Sequence, residues 1–119
     1  MVGKIMPQMI EVRQGDSFTI LLQFQTDSGV LDITGAELKM QIRNREDNKV
    51  LITKNGIIDD AVKGKAHIAI VPADTKNLTA GGDYITDIQA SFANGEIHTV
   101  YPADVSKVAS FVVSQNVTE

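Results

Sequence analysis

A strict alternation of apolar and polar side chains runs through residues 37–43. Leu38, Met40 and Ile42 occupy one set of alternate positions, and the other set is polar: Glu37, Lys39, Gln41 and Arg43. Successive side chains of a β-strand point to opposite faces, whereas a helix would scatter these two sets around its axis. The segment therefore predicts a half-buried strand with one dry and one wet face.

The same two-residue period recurs along the chain. It predicts core strands at 17–25, at 66–70 and at 84–92, with inward residues Phe18, Ile20, Leu22 and Phe24, then Ala66, Ile68 and Ile70, then Tyr84, Thr86, Ile88, Ala90 and Phe92. Residues 105–113 predict a last strand, with Phe111 and Val113 inward. Residues 5–12 predict an edge strand that can change partners at Pro7, because proline donates no ladder hydrogen bond.

Turn signals separate these strands at short intervals. Asn55-Gly56 and Asn94-Gly95 each predict a two-residue hairpin, and residues 72–78 predict a single helical turn with Leu78 folded beneath the sheets. No longer helical pattern interrupts the series, and 119 residues suit one hydrophobic core. We therefore expect an all-β protein in which residues 1–119 form one domain.

Composition narrows the possible partners and ligands. The net charge of −4 comes from dispersed acidic and basic residues, which argues against binding to the phosphate backbone of nucleic acid. No apolar run is long enough to span a membrane, and the absence of cysteine removes disulfides and thiolate metal sites. The sequence thus predicts no nucleic-acid partner and no membrane partner. It also predicts that the protein folds in a reducing cytoplasm.

Candidate catalytic and metal-binding residues are few. Only His67 and His98 could serve as a general base, and neither accompanies a nucleophile motif. Four carboxylates near turns are the best candidates for a metal site: Asp59, Asp60, Asp83 and Asp87. Their spacing does not match any calcium-binding loop. We therefore predict no catalytic residue, no metal site and no cofactor.

An ordered set of short segments resembles the immunoglobulin-like domains of tailed-phage and prophage structural proteins, in particular the N-terminal domain of baseplate upper proteins. The matching segments are Asp32-Ile33-Thr34-Gly35-Ala36 before the strand 38–43, Val71-Pro72-Ala73-Asp74-Thr75 with Leu78, Gly82-Asp83-Tyr84 with Asp87-Ile88, Asn94-Gly95, and Phe111-Val112-Val113. The chain departs from the family pattern at Ala109, where glycine is common, and at the insertion Pro102-Ala103-Asp104.

This resemblance implies an immunoglobulin-like β-sandwich of about seven to nine antiparallel strands. It implies a non-enzymatic structural protein of a phage or prophage virion, located in the tail and assembled in the bacterial cytoplasm. Its partners would be other tail or baseplate proteins and further copies of itself.

Two surfaces are candidate interfaces. One is the first strand, with Met6, Met9 and Ile10, because methionine side chains repack readily against varied surfaces. The other is the wet face of the strand at 37–43, with Glu37, Lys39, Gln41 and Arg43. The alternative function is a surface-recognition module of the carbohydrate-binding or adhesin type, for which Tyr101 is the aromatic residue expected to stack on a sugar.

Overall fold

A computed structural model describes residues 4–6, 9–102 and 109–115, with side chains from residue 9 onward. Twelve strands and one short helix lie within these residues. They are β1 (Lys4–Met6), β2 (Met9–Arg13), β3 (Phe18–Gln23), β4 (Gln25–Thr26), β5 (Gly29–Val30), β6 (Glu37–Asn44), β7 (Val50–Asn55), β8 (Ile57–Asp60), β9 (Lys65–Ile70), α1 (Pro72–Lys76), β10 (Tyr84–Ser91), β11 (Ile97–Tyr101) and β12 (Ala109–Ser114).

The larger sheet, sheet A, contains seven strands and is built around the pair β6 and β10. These two strands pair antiparallel along their full lengths, from Glu37 opposite Ser91 to Asn44 opposite Tyr84. The strand order is β1-β2-β12-β10-β6-β7, and β11 pairs with the part of β10 that β12 does not reach. The dry face of β6 therefore lies in the middle of a sheet, as its alternation predicts.

The smaller sheet, sheet B, has the order β3-β9-β8, and a separate hairpin joins β4 to β5. The main core lies between the two sheets. Sheet B contributes Phe18, Ile20, Ile68 and Ile70, and sheet A contributes Ile10, Val12, Met40, Ile42, Ile88, Phe111 and Val113. All of these side chains are at most 3% exposed, which confirms the inward positions predicted at Phe18, Ile20, Leu38, Met40, Ile42, Ile68, Ile70, Ile88, Phe111 and Val113, whereas Leu22 and Phe92 are only partly buried.

The predicted hairpin at Asn55-Gly56 is wrong. The chain crosses from sheet A to sheet B at Gly56, since β8 pairs with β9 and not with β7. The Gly56 backbone N–H donates to the Leu38 carbonyl at 2.9 Å, and a Cβ on residue 56 would lie 2.7 Å from the Leu38 Cβ. Glycine is therefore needed here for a close approach of two strands and not for a turn.

Other expectations need smaller corrections. The mostly polar residues 59–65 suggest a connection between strands, yet Asp59 and Asp60 end strand β8 and Lys65 begins β9. The strand expected at 5–12 is divided into β1 and β2, which pair with each other, and residues 105–108 of the last predicted strand lie outside the described residues. The sheets are not wholly antiparallel, because β2 and β12 run parallel. The described strands also outnumber the seven to nine expected, since several are only two to four residues long.

The predicted helical turn is confirmed as α1, which lies beside the Phe18 end of sheet B. The Asp74 carboxylate accepts the Val71 backbone N–H at 2.7 Å and the Lys54 ammonium at 2.9 Å. Thr75 is fully buried, and its hydroxyl accepts the Gly15 backbone N–H at 2.9 Å. Leu78 is 7% exposed and joins the main core. Helix α1 thus ties the connection after β2 to the connection after β9.

We predict that Thr75→Val destabilises the protein by about 1–3 kcal/mol, because valine keeps the volume but leaves the Gly15 N–H without its acceptor. Thr19→Val is the matched control, since Thr19 is exposed on β3. Urea unfolding of both variants measures the difference. Equal stabilities would show that the buried hydroxyl contributes nothing.

Candidate protein interface

The side of sheet A that faces away from sheet B carries a continuous row of residues from four strands. Met9 lies opposite Ser110, Ser110 opposite Ile85, and Ile85 opposite Arg43. Residues that are direct partners across strands point to the same side of a sheet. The row therefore joins the two surfaces that the sequence proposed separately. We call this side of sheet A the outer face.

The polar positions of β6 lie on the outer face as predicted. Lys39 is flanked by Gln89 and Asn55, and Gln41 by Asp87 and Thr53. Arg43 donates to the Gln41 side-chain oxygen at 2.6 Å, and both side chains are half-buried. Glu37 and Lys39 are exposed at the other end of the strand. The four residues proposed for this strand thus form one strip on the outer face, between β10 and β7.

Ile10 is a different case, because its side chain is fully buried. It points to the main core, whereas its neighbour Met9 lies on the outer face and is half-buried. The alternation of β2 separates the two residues, so Ile10 has no exposed surface in the folded chain to offer a partner. The side chain of Met6 lies outside the described residues.

Three charged side chains of the outer face form no ion pair with any side chain that the structure describes. Among the residues with described side chains, no ion pair or side-chain hydrogen bond engages Glu37, Lys39 or Asp87. In contrast, Arg45 at the end of the face pairs with Asp83 at 2.8 Å, and Ser114 donates to Glu11 at 2.5 Å. The part of the outer face formed by β6 and β10 therefore offers charges of both signs to a partner.

Ile85 and Val112 form an apolar part of the outer face that was not predicted from the sequence. Both are half-buried and lie between the inward residues of β10 and β12. The signal was present in the alternation, since Tyr84, Thr86, Phe111 and Val113 were assigned inward and their neighbours must point outward. What the alternation could not give is the strand order that places Ile85 beside Arg43.

The outside of sheet B has a different character. Leu21 lies opposite His67, which lies opposite Ile57, and the two apolar side chains are 77% and 56% exposed. The His67 ring contacts the Asp59 carboxylate at 2.8 Å, and His98 contacts Glu96 at 3.1 Å on the exposed strand β11. Each histidine thus has a carboxylate neighbour, and no hydroxyl nucleophile lies within hydrogen-bonding distance of either among the described side chains.

In the described part of the chain, no group of three or more His, Asp or Glu residues could hold a metal ion. No helix there is long and apolar enough to cross a membrane.

The segments that carried the resemblance serve to fix loops. Ile33 is 1% exposed and anchors the 31–36 loop in a second core cluster with Phe24 and Leu38. Beside it, the Asp32 carboxylate accepts the backbone N–H of Thr34 at 2.9 Å and the Thr34 hydroxyl at 2.5 Å. These hydrogen bonds hold the pKa of the Asp32 carboxyl below its usual value of 3.8.

The Gly82-Asp83-Tyr84 segment is fixed in a comparable way. The Tyr84 hydroxyl accepts the Thr79 backbone N–H at 2.8 Å, and a Cβ on residue 82 would lie 2.7 Å from the Tyr84 ring. Glycine at position 82 therefore lets the chain pass close over the tyrosine.

The family model of the BppU N-terminal domain matches residues 2–100. The chain belongs to this family. A comparison with curated proteins found no match. Membership indicates a structural role in a phage baseplate or tail and implies a component of the virion tail that interacts with other tail or baseplate proteins. The match includes Met9 and all of β6 and β10 and stops before the Ser110 and Val112 positions of the outer face.

Tyr101, the residue chosen for a sugar-binding alternative, follows the matched region of this BppU N-terminal domain. Its ring is half-buried and packs against the main core. Burial raises the pKa of the Tyr101 phenol, and a hydrogen bond from the Met9 backbone opposes this increase. The ring therefore contributes to packing within the chain.

Alanine variants of Met9 and Ile10 test which of the two side chains points into the core. We predict that Ile10→Ala lowers the free energy of unfolding by about 2–5 kcal/mol, because it leaves a cavity in the core. Met9→Ala, the matched control on the outer face, changes it by less than about 1 kcal/mol. Urea unfolding of both variants is the measurement, and equal losses would place Met9 in the core as well.

The Asp32 turn predicts a response to acid. A carboxyl whose pKa is lowered in the folded state stabilises the fold above its usual pKa, and this stabilisation is lost as the pH falls through the folded pKa. Asp32→Asn should therefore reduce the free energy of unfolding at neutral pH. Between about pH 5 and 2 the variant should lose less of its remaining stability than the parent protein does. Thermal unfolding across that range, with Asp27→Asn as the charge-matched control, tests this. Parallel curves for Asp32→Asn and the parent would contradict it.

Proposed function

We propose that this chain is a non-enzymatic assembly module of a phage or prophage virion, and that it acts by burying the outer face of sheet A against neighbouring tail or baseplate proteins. Family membership supports the structural role. The observation that carries the proposal is the single continuous surface made by Met9, Ile85 and the β6 strip, whose charges at Glu37 and Lys39 pair with no described side chain.

The size of the outer face sets how much surface such a contact can bury. Sheet A has six strands across its main path, and its two central strands are eight residues long. At about 4.8 Å between strands and 3.3 Å per residue, the flat area is about 600 Å². A standard specific interface removes about 800 Å² from each partner, so a contact of that size would use the whole outer face and residues at its margin.

The chemistry of the outer face also fits an assembly contact. Interfaces between separately folded proteins combine an apolar centre with a polar, charged surround. Here Met9, Ile85 and Val112 supply partly exposed apolar surface, and Glu37, Lys39 and Asp87 supply charges. Charges of both signs favour one register of docking over others, because a shifted partner would bring like charges together.

We further infer an immunoglobulin-like sandwich formed by residues 1–119 as one domain. The strand order supports this inference: β12, β10, β6 and β7 share one sheet, and β3, β9 and β8 share the other. In chain order these correspond to strands G, F, C and C′ and to strands B, E and D of an immunoglobulin variable-type domain. The core that joins β2 to β12 supports a single domain.

Self-association is part of the proposal, with folding and assembly in the bacterial cytoplasm before incorporation into the tail. A two-fold contact through the outer face would place the same surface on both sides of the interface. The mixed charges allow this arrangement, since Lys39 of one copy can meet Glu37 or Asp87 of another.

Incorporation into virions tests the function. We predict that Lys39→Glu lowers the amount of this chain in purified tails by about tenfold, because it reverses a charge of the β6 strip; a loss of ~1.4 kcal/mol in binding gives that factor. Quantitative mass spectrometry of purified virions is the measurement. Lys63→Glu is the control, because Lys63 lies in the exposed turn after β8 and away from β6.

The result also distinguishes the two sheets. If Leu21→Ser reduces incorporation while Lys39→Glu does not, the interface lies on the outside of sheet B and the proposed surface is wrong. If the chain is missing from purified virions altogether, the tail function is wrong. Light scattering of the pure protein over a concentration range tests self-association, and a monomer at every concentration would exclude it.

A further inference from the structure

An open cleft of about 530 Å³ lies at the Phe24 end of sheet B, away from α1 and from the outer face. The 31–36 loop, the start of the β4–β5 hairpin and the β10–β11 turn surround it. This volume is within the range of about 300–1,000 Å³ that ligand sites occupy. None of the tail-assembly contacts proposed above uses it.

Apolar and aromatic side chains form much of its surface. Phe24 and Phe92 meet edge to face, with ring centroids 6.4 Å apart and an interplanar angle of 89°. Leu31 and Val100 add aliphatic surface, and the His98 ring leans against Phe92 at 5.8 Å. Aromatic rings of this kind attract a cation that lies over them, and they pack well against an aliphatic stem.

The ionisable groups of the cleft are two carboxylates, Asp32 and Glu96, with His98 beside them. None of its described lining residues is lysine or arginine. The Asp32 carboxyl has a lowered pKa and is ionised at neutral pH. The cleft is therefore anionic, and charge complementarity calls for a cationic ligand.

The hydrogen bonds already present in the cleft restrict that ligand further. Thr34 donates its hydroxyl to Asp32, and Asn94 donates its side-chain amide to Glu96 at 2.7 Å. These donors are engaged within the chain, whereas the second Asp32 oxygen accepts no hydrogen bond from the residues described. A group with several donors and no acceptor fits this balance, and the guanidinium of arginine is such a group.

The cleft is held in shape before any ligand binds. Ile33 anchors the 31–36 loop, with its backbone N–H bonded to the Ala61 carbonyl at 2.9 Å. Gly35 has a φ of +81°, and a Cβ there would lie 3.1 Å from the Ala93 Cβ, so the loop packs tightly on the β10–β11 turn. Glu96 is fixed by Asn94 and by His98. Little ordering is therefore needed on binding, which favours affinity.

We propose that this cleft binds an arginine side chain presented by an extended segment of a neighbouring tail protein. The guanidinium pairs with Asp32, and its aliphatic stem packs on Phe92 and Leu31. The partner chemistry rests on the proposed assembly function, because a tail protein supplies the segment. The site itself is separate from the outer face, so each can fail without the other.

A peptide titration of the full chain tests the site. The probe is the capped peptide acetyl-Gly-Leu-Arg-Leu-Gly-amide, followed by amide chemical shifts in ¹⁵N-labelled protein. We expect saturable shifts confined to the 31–36 loop and the β10–β11 turn. Replacement of arginine by the uncharged analogue citrulline should weaken binding by about tenfold, as expected on loss of a charge-assisted pair.

Variants of the protein provide the controls. Asp32→Asn should weaken binding of the arginine peptide by about fivefold or more while the spectrum stays dispersed, and Glu96→Gln is a second variant in case Asp32→Asn does not fold. Glu46→Gln removes an exposed acid in the distant β6–β7 turn and should leave affinity unchanged.

Three outcomes would overturn the proposal. The first is the absence of shifts in the 31–36 loop and the β10–β11 turn at saturating peptide. The second is equal affinity for the arginine and citrulline peptides. The third is binding of chitotriose at the same residues with no binding of the peptide, which would make the cleft a saccharide site. None of these outcomes affects virion incorporation or its dependence on Lys39.

Discussion

The pairing of β6 with β10 is the constraint on which the rest of the structure depends. Eight residue pairs join these strands, so the register of one fixes the register of the other. With Leu38 opposite Ala90 and Met40 opposite Ile88, the buried side of both strands faces sheet B. A slip of one residue would turn every one of these side chains toward solvent. The same register sets Lys39, Gln41 and Arg43 beside Gln89, Asp87 and Ile85, so the core and the proposed interface have a common origin.

Much of the fold follows from local patterns in the sequence. Alternation alone gave the inward residues of β3, β6, β9 and β10, because each strand has one buried face and a period of two. It failed at Gly56, since an Asn-Gly pair has the same sequence whether it closes a hairpin or allows a close approach to Leu38. The difference depends on a residue 18 positions earlier in the chain, and a short-range signal carries no information about it.

The candidate interface shows the same limit. The outward residues of each strand could be predicted from that strand's own sequence. That these residues lie side by side on one face could not. Met9 joins Arg43 through Ser110 and Ile85, and the first of these contacts spans about a hundred residues of sequence. Ile10 was placed on the interface for lack of a pattern long enough to show which way the first strand faces. The cleft was missed for a related reason: Asp32, Phe92 and Glu96 are turn or strand-end residues, and only the fold brings them together.

The parallel pair β2 and β12 gives the molecule a mechanical property. These strands come from opposite ends of the described chain and share five residue pairs. Because they run in the same direction, tension applied through the start of β2 and the end of β12 pulls them past each other along their length. The hydrogen bonds between them are then loaded together in shear, and none can open first as it would in an unzipping hairpin. Once β1 has peeled from β2, the sheet therefore resists stretching at this one ladder, and a pulling force meets its main barrier before the core is exposed.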